Sequence, residues 1–209
     1  MQLSVIDTGL GNLRSVEKAL AAAAERAGLA VSVERTADPE RVRRAERLVF
    51  PGQGAFRDCM SSLGGGLGAA ILERIRQGVP YLGICLGLQV LFDASAEAEG
   101  VPGLGLYAGR VERLTPEGVK VPHMGWNQLE YAGEGHRLLD AAGGAGTWVY
   151  YVHSFHALPA DVSLVVATSS HGPHRITAAI ARDNVFAVQF HPEKSQAAGL
   201  ALLAAFLSS

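Results

Sequence analysis

Cys85 stands in GICLGLQ, residues 83–89, at the end of an apolar run and between two glycines. A strand that runs into GxCxG and then into a helix is the arrangement that points a nucleophile out of a sheet, because small flanking residues leave room for a sharp turn. The start of a helix also favours thiolate over thiol, through free N–H groups and the positive end of the dipole. A buried structural thiol packed between glycines would carry the same local sequence, so the motif needs a partner. A thiolate that works at neutral pH requires a base, and the base requires a third group to fix its ring. Of the seven histidines, His191 follows the apolar run VFAVQF and is followed by Pro192 and Glu193. A histidine and a carboxylate thus leave one strand end together, which suits a triad of Cys85, His191 and Glu193, with a surface HPE turn as the competing reading. A third stretch, VFPGQGAF at 49–56, is an apolar run that ends in a Gly-rich turn. Gly52 and Gly54 permit unusual backbone angles, so the Gly52–Gln53 peptide can offer an N–H to a developing oxyanion, beside the N–H of Leu86. Read by itself, this stretch is also a plain Pro-Gly loop.

These residues need a sheet to hold them. LSVID, residues 3–7, runs into TGLGNL and then into SVEKALAAAAERAG, whose apolar spacing and closing Gly28 predict a strand, a tight turn and a helix. LAVSVER alternates, DPERVRRAE reads as a helix with Arg41, Arg43, Arg44 and Arg47 on a solvated face, and RLVFPG is an apolar run stopped by Pro51 and Gly52. The rhythm continues through a helix near 69–77, the run VPYLGIC, and a helix from about Leu86 to Ala98. Such alternation predicts an α/β fold with a parallel sheet covered on both faces. The strands VPYLGIC and VFAVQF can then lie side by side, with their C-terminal ends in the crevice where such sheets bind ligands. After Gly100 the runs are shorter and strand-rich, which predicts antiparallel pairs, and QAAGLALLAAFL closes the chain as a helix.

The whole chain sets bounds on what the site can serve. Its 209 residues fit one domain, 1–209, able to bury roughly 70% of its unfolded surface. A net charge of −2 with 18% charged residues gives neither the basic surface of a nucleic-acid binder nor an acidic disordered tail. The expected ligands are small molecules or proteins. Two cysteines, Cys59 and Cys85, allow one bridge at most, and no Cys/His spacing resembles a zinc site, so a reducing cytoplasm without metal or other cofactor is expected. Cys59 reads as helix packing. The start lacks a secretion signal, and no apolar stretch reaches the roughly 20 residues of a spanning helix, so no membrane association is expected. TGLGNL lacks the third glycine and the acid of a dinucleotide site, and GGGLG lacks a following GK[ST].

GICLGLQ, HPEKS and PGQG together resemble the class I glutamine amidotransferases. The resemblance spans the chain, and IDTGLGNLRSV, VPHMGWN, YYVHSF and QFHPEKS bring it close to the glutaminase subunits that serve histidine biosynthesis. It implies a three-layer sandwich with a mostly parallel central sheet and extra antiparallel strands. It also implies glutamine as substrate, Cys85 as nucleophile, His191 as acid and base, and Glu193 as its orienting carboxylate. Gln89, Glu97, Gly52 and Ser154 are implied to grip the glutamine backbone and amide. No second domain is recognised that could consume ammonia, so a cyclase subunit resembling a (β/α)₈ barrel is implied as the other half of a heterodimer. VPHMGWN, with His123, would face it, and Trp126, Tyr150 and Tyr151 are candidate anchors, each equally readable as core. His171 and His174 read as an exposed turn. The sequence departs from the family in PGQG, where PGVG is expected, and at Thr8, Leu10 and Leu88. A glutaminase for another synthase, of anthranilate or pyridoxal phosphate, remains open, as do a cysteine hydrolase and a silent binding protein on the same fold.

Overall fold

The computed structural model describes Met1–Ser209. β1 (Gln2–Ile6) leads through a Gly-rich turn into α1 (Leu13–Ala27), which starts with the Asn12 side chain accepting from Ser15 N–H and stops at Gly28, φ 67°. β2 (Ser32–Thr36), α2 (Pro39–Val42), β3 (Arg47–Gly52), α3 (Phe56–Ser62), α4 (Leu67–Arg76) and β4 (Tyr81–Cys85) follow, and α5 (Leu86–Gln89) begins at the residue after β4. Then come β5 (Phe92–Ser95), β6 (Tyr107–Arg113), β7 (His123–Gln128), β8 (Glu130–Tyr131), α6 (Arg137–Ala141), β9 (Trp148–His153) and β10 (Phe155–Pro159). β11 (Val165–His171), β12 (His174–Arg182), β13 (Val185–Val188) and α7 (Gln196–Leu207) complete the order.

The central sheet has eight strands in the order β2-β1-β3-β4-β13-β12-β11-β8. It is parallel from β2 to β13 and antiparallel beyond. Every residue of β3 and β4 is buried, as strands covered on both faces must be. Apolar clusters of 28 and 26 buried residues occupy the two faces, one drawing on α1, α6 and α7, the other on α3 and α4. Their near-equal size makes this a three-layer α/β sandwich. Two small sheets, β10-β6-β5 and β7-β9, flank it on the side of the strand ends that carry the site.

Three expectations change. The helix expected from Leu86 to Ala98 is one turn, α5, followed by strand β5. The carbonyls of Val90, Leu91 and Phe92 accept from Leu104, Leu106 and Gly105 instead of from a continuing helix, so tertiary pairing overrides the helical spacing. Arg47 opens β3 and does not lie on a solvated helix; its guanidinium sits 5.6 Å over the Phe206 ring and bonds to Ser209. His171 and His174 flank the β11–β12 turn half-buried, bonded to the carbonyls of Lys120 and Thr115.

Candidate active site

β4 passes into α5 through Cys85, which holds φ 54° and ψ −102°. A non-glycine residue in that region costs about 1–3 kcal/mol and persists only where its surroundings enforce it. The enforcement is close backbone approach. A Cβ on Gly83 would lie 2.4 Å from the Gly87 carbonyl oxygen, and one on Gly87 would lie 1.9 Å from that of Phe50. Tyr81 Oη donates to the Gly87 carbonyl at 2.7 Å and pins the turn from below.

β13 pairs with β4, placing Val188 opposite Ile84, and the chain runs on to His191 at the same end of the sheet. His191 N–H donates to the Tyr150 carbonyl at 2.9 Å. The buried Ser195 hydroxyl donates to the His191 carbonyl at 2.7 Å and accepts from Tyr150 N–H at 3.0 Å. The 3₁₀ turn Pro192–Lys194 is therefore tied to β9 at both ends. His191 Nδ1–H donates to Glu193 Oε1 at 2.7 Å, both side chains being at most 2% exposed. Nε2 has no hydrogen-bond partner. Burial lowers the His191 pKa, but the negative charge of Cys85 and then of Glu193 outweighs it and raises the value to about 9.

A cleft of about 390 Å³ opens beside Cys85, within the size range of small-ligand sites. Of the residues singled out from sequence, Gln53, Cys85, Leu86, Gln89, Glu97 and Ser154 line it. Gly52 lies opposite Cys85 in the β3–β4 register and faces, with His191 and Glu193, a cavity of about 10 Å³ behind the cleft. Leu86 is the first residue of α5, where a helix provides no acceptor for the N–H. Gln89 is buried, with Nε2 donating to the Phe155 carbonyl at 2.9 Å and to Gln189 Oε1 at 3.0 Å. Glu97 sits on the loop after β5 and not on the elbow helix. Its Oε2 accepts from Phe56 N–H at 3.1 Å, and burial, against that hydrogen bond, raises its pKa above the usual carboxylate range. Ser154 is the corner between β9 and β10, its carbonyl accepting from Leu114 N–H.

Sequence reasoning missed three neighbours of these residues. Lys194 and His153 also line the cleft, and Gln189, fully buried, donates from Nε2 to Cys85 Sγ at 3.4 Å. The available signal was an amide inside the apolar run VFAVQF, since a buried polar group must find partners. His123 opens strand β7 and is 4% exposed, stacked between Tyr151 and His171 with ring centroids 4.6 and 4.1 Å away. Tyr151 is core, whereas Trp126 is 43% exposed with the Tyr150 ring edge-on to it. Cys59 is buried in α3, and burial pushes its thiol up to about 12. No group of three or more His, Cys, Asp or Glu side chains is arranged to hold a metal ion, and no helix is long and apolar enough to cross a membrane.

Comparison with known proteins agrees with this geometry. Residues 5–208 match the family described as glutamine amidotransferase class-I. A relative from Methylococcus capsulatus is 48% identical over 98% of this chain and 95% of its own length. Another, from Rhodospirillum rubrum, is 46% identical over 99% and 98%. Both are imidazole glycerol phosphate synthase subunits HisH. Among solved structures, a glutamine amidotransferase superposes with TM-score 0.72 at 19% identity, covering 99% of this chain and 97% of its own. A chain of PurLQS from Thermotoga maritima gives 0.72 at 20% with the same coverage. Those two share the fold; the sequence matches, close to half identical along nearly all of both chains, establish that the protein belongs to the class I glutamine amidotransferase family, among the HisH subunits of imidazole glycerol phosphate synthase.

Proposed function

We propose that Cys85, His191 and Glu193 carry the glutaminase reaction of this amidotransferase subunit. The observation that carries the reading is the buried His191–Glu193 hydrogen bond at the same end of the sheet as the strained elbow cysteine, which lines an open cleft. The Cys85 thiolate attacks the side-chain amide carbon of glutamine. The oxyanion that forms is met by the N–H groups of Leu86 and Gln53, the latter once the Gly52–Gln53 peptide faces it. The imidazolium of His191 gives its proton to the amide nitrogen, the C–N bond breaks, and ammonia leaves behind a glutamyl thioester. His191, now neutral, takes a proton from water; the hydroxide attacks the thioester, the C–S bond breaks, and glutamate departs from a restored thiolate and imidazolium. Glu97 is suited to receive the substrate ammonium, and Gln89 Oε1, which has no hydrogen bond within the protein, its polar groups.

The ammonia passes to a cyclase subunit that makes imidazole glycerol phosphate and aminoimidazole carboxamide ribotide, the two chains forming a heterodimer. Residues 1–209 work as one domain, in the cytoplasm, without metal. A partner on the β7–β9 side is supported by Met124, Trp126 and Trp148, exposed by 61, 43 and 54% on the one pair of strands. The test is glutamate production by the purified chain, alone and with the cyclase subunit carrying its nucleotide ligand, beside Cys85→Ala. A large rise only with the liganded partner, abolished in Cys85→Ala, is the expected result. No glutamate under any condition would return Cys85 to a structural role.

A further inference from the structure

Gln189 lies fully buried at the end of β13, and its amide reaches two partners. Oε1 accepts from Gln89 Nε2 at 3.0 Å, and Nε2 donates to Cys85 Sγ at 3.4 Å. One group decides which end of each amide faces which neighbour. The Phe155 carbonyl can only accept, and it accepts from Gln89 Nε2 at 2.9 Å and from His153 Nδ1 at 2.9 Å. The first contact fixes the Gln89 nitrogen in place, and its second hydrogen demands an acceptor; Gln189 therefore turns its oxygen to Gln89 and its nitrogen to the sulfur. The second contact puts the His153 proton on Nδ1, so Nε2 must accept, from His123 Nδ1–H at 3.0 Å, while His123 Nε2 accepts from Asn127 Nδ2 at 3.2 Å. All six hydrogen bonds have a single consistent direction. Reversing the Gln189 amide would set nitrogen against nitrogen at Gln89 and present a lone pair to the sulfur.

We propose that Gln189 is a further catalytic residue of the glutaminase reaction, donating a hydrogen bond to Cys85 Sγ that favours the thiolate, with Gln89 and the Phe155 carbonyl as the groups that position it. This rests on the function proposed above. The donor acts at both ends of the cycle: it stabilises the attacking thiolate, and it stabilises the same thiolate as leaving group when water opens the thioester. The other titratable groups near Cys85 are His153, His191, Glu97 and Lys194, and none of them hydrogen-bonds to the Gln189 amide, whose partners are Gln89 and Cys85.

The test is alkylation of Cys85 by iodoacetamide in the full chain across pH, read at the Cys85 peptide by mass spectrometry, for wild type and for Gln189→Met and Gln189→Glu. If the donor makes thiolate formation tenfold easier, it also leaves that thiolate about threefold less reactive, because nucleophilicity falls with basicity with a coefficient of about 0.4–0.5. Both variants are therefore expected to react about threefold more slowly than wild type on the acid side of the Cys85 titration and about threefold faster on its alkaline side, with the curves crossing. A change in access alone moves both ends the same way, so parallel or coincident curves overturn the proposal. If the variants do not fold, the Gln189 side-chain amide proton signal in the wild-type chain reads the same contact. It is expected to move on alkaline titration and to stay still in Cys85→Ala; a signal that ignores the sulfur overturns the proposal. Alkylation needs no turnover, so the result stands whether or not the chain hydrolyses glutamine.

Discussion

His191 is buried, and the Glu193 carboxylate on Nδ1 and the nearby Cys85 offset the cost of burying its charged form. Replacing Glu193 with Gln keeps the shape and removes the charge. The His191 ring protons, followed by NMR, should then titrate below about 9, and the rate of glutamine hydrolysis should fall by up to about 10⁴-fold, the effect of neutralising the orienting carboxylate in a serine-protease triad. Unchanged titration in a folded Glu193→Gln protein would remove Glu193 from the site. The sign for stability follows from the same shift. The folded pKa is raised, so the contribution of the charged ring is fully present below about 6.5 and is lost as pH rises through about 9. Cys85, His191 and Glu193 were visible in the sequence because each follows an apolar run that ends abruptly. Gln189 was not, because VFAVQF is apolar enough to look like strand interior, and one amide in it has no periodicity to betray its partners.

The paired strands β7 and β9 carry the opposite kind of histidine. His123 and His153 lie directly across from each other in that ladder and share one hydrogen between their rings. Burial, aided by His171, lowers His123 to about 4, and burial, aided by His123, lowers His153 to about 3. Both are neutral in the fold, whereas the unfolded chain takes up protons below about 6.5. Their contribution is present above that pH and is lost as pH falls toward about 4 and then about 3. Urea midpoints should drop between pH 7.5 and pH 5, and His123→Gln should flatten that drop while lowering the midpoint at pH 7.5; an equally steep drop in the variant would show that the acid sensitivity lies elsewhere. At this scale the βα rhythm of the first half was legible, since Gly and Pro stop each strand run. The segment after Gln89 was not: LQVLFDAS has apolar residues that suit a helix or a strand, and only β6, lying alongside, decides between them.

Taken whole, the molecule is covered on both faces of its sheet, and Met124, Trp126 and Trp148 stand exposed on the paired strands β7 and β9. Aromatic side chains at the centre of an interface often cost 2 kcal/mol or more when truncated, about 30-fold in affinity. Trp126→Ala should weaken cyclase binding by about that factor, measured by calorimetry, and leave the thermal midpoint of the free chain within about 1 °C, as a half-exposed side chain contributes little to the core. Undiminished binding would move the contact elsewhere on the surface. The central strand β4 lies between β3, made shortly before it, and β13, and Gln189 meets Cys85 across 104 residues of chain. During synthesis the elbow emerges long before its imidazole and carboxylate. A nascent chain therefore carries the elbow thiol before the imidazole and carboxylate that complete the site have been made.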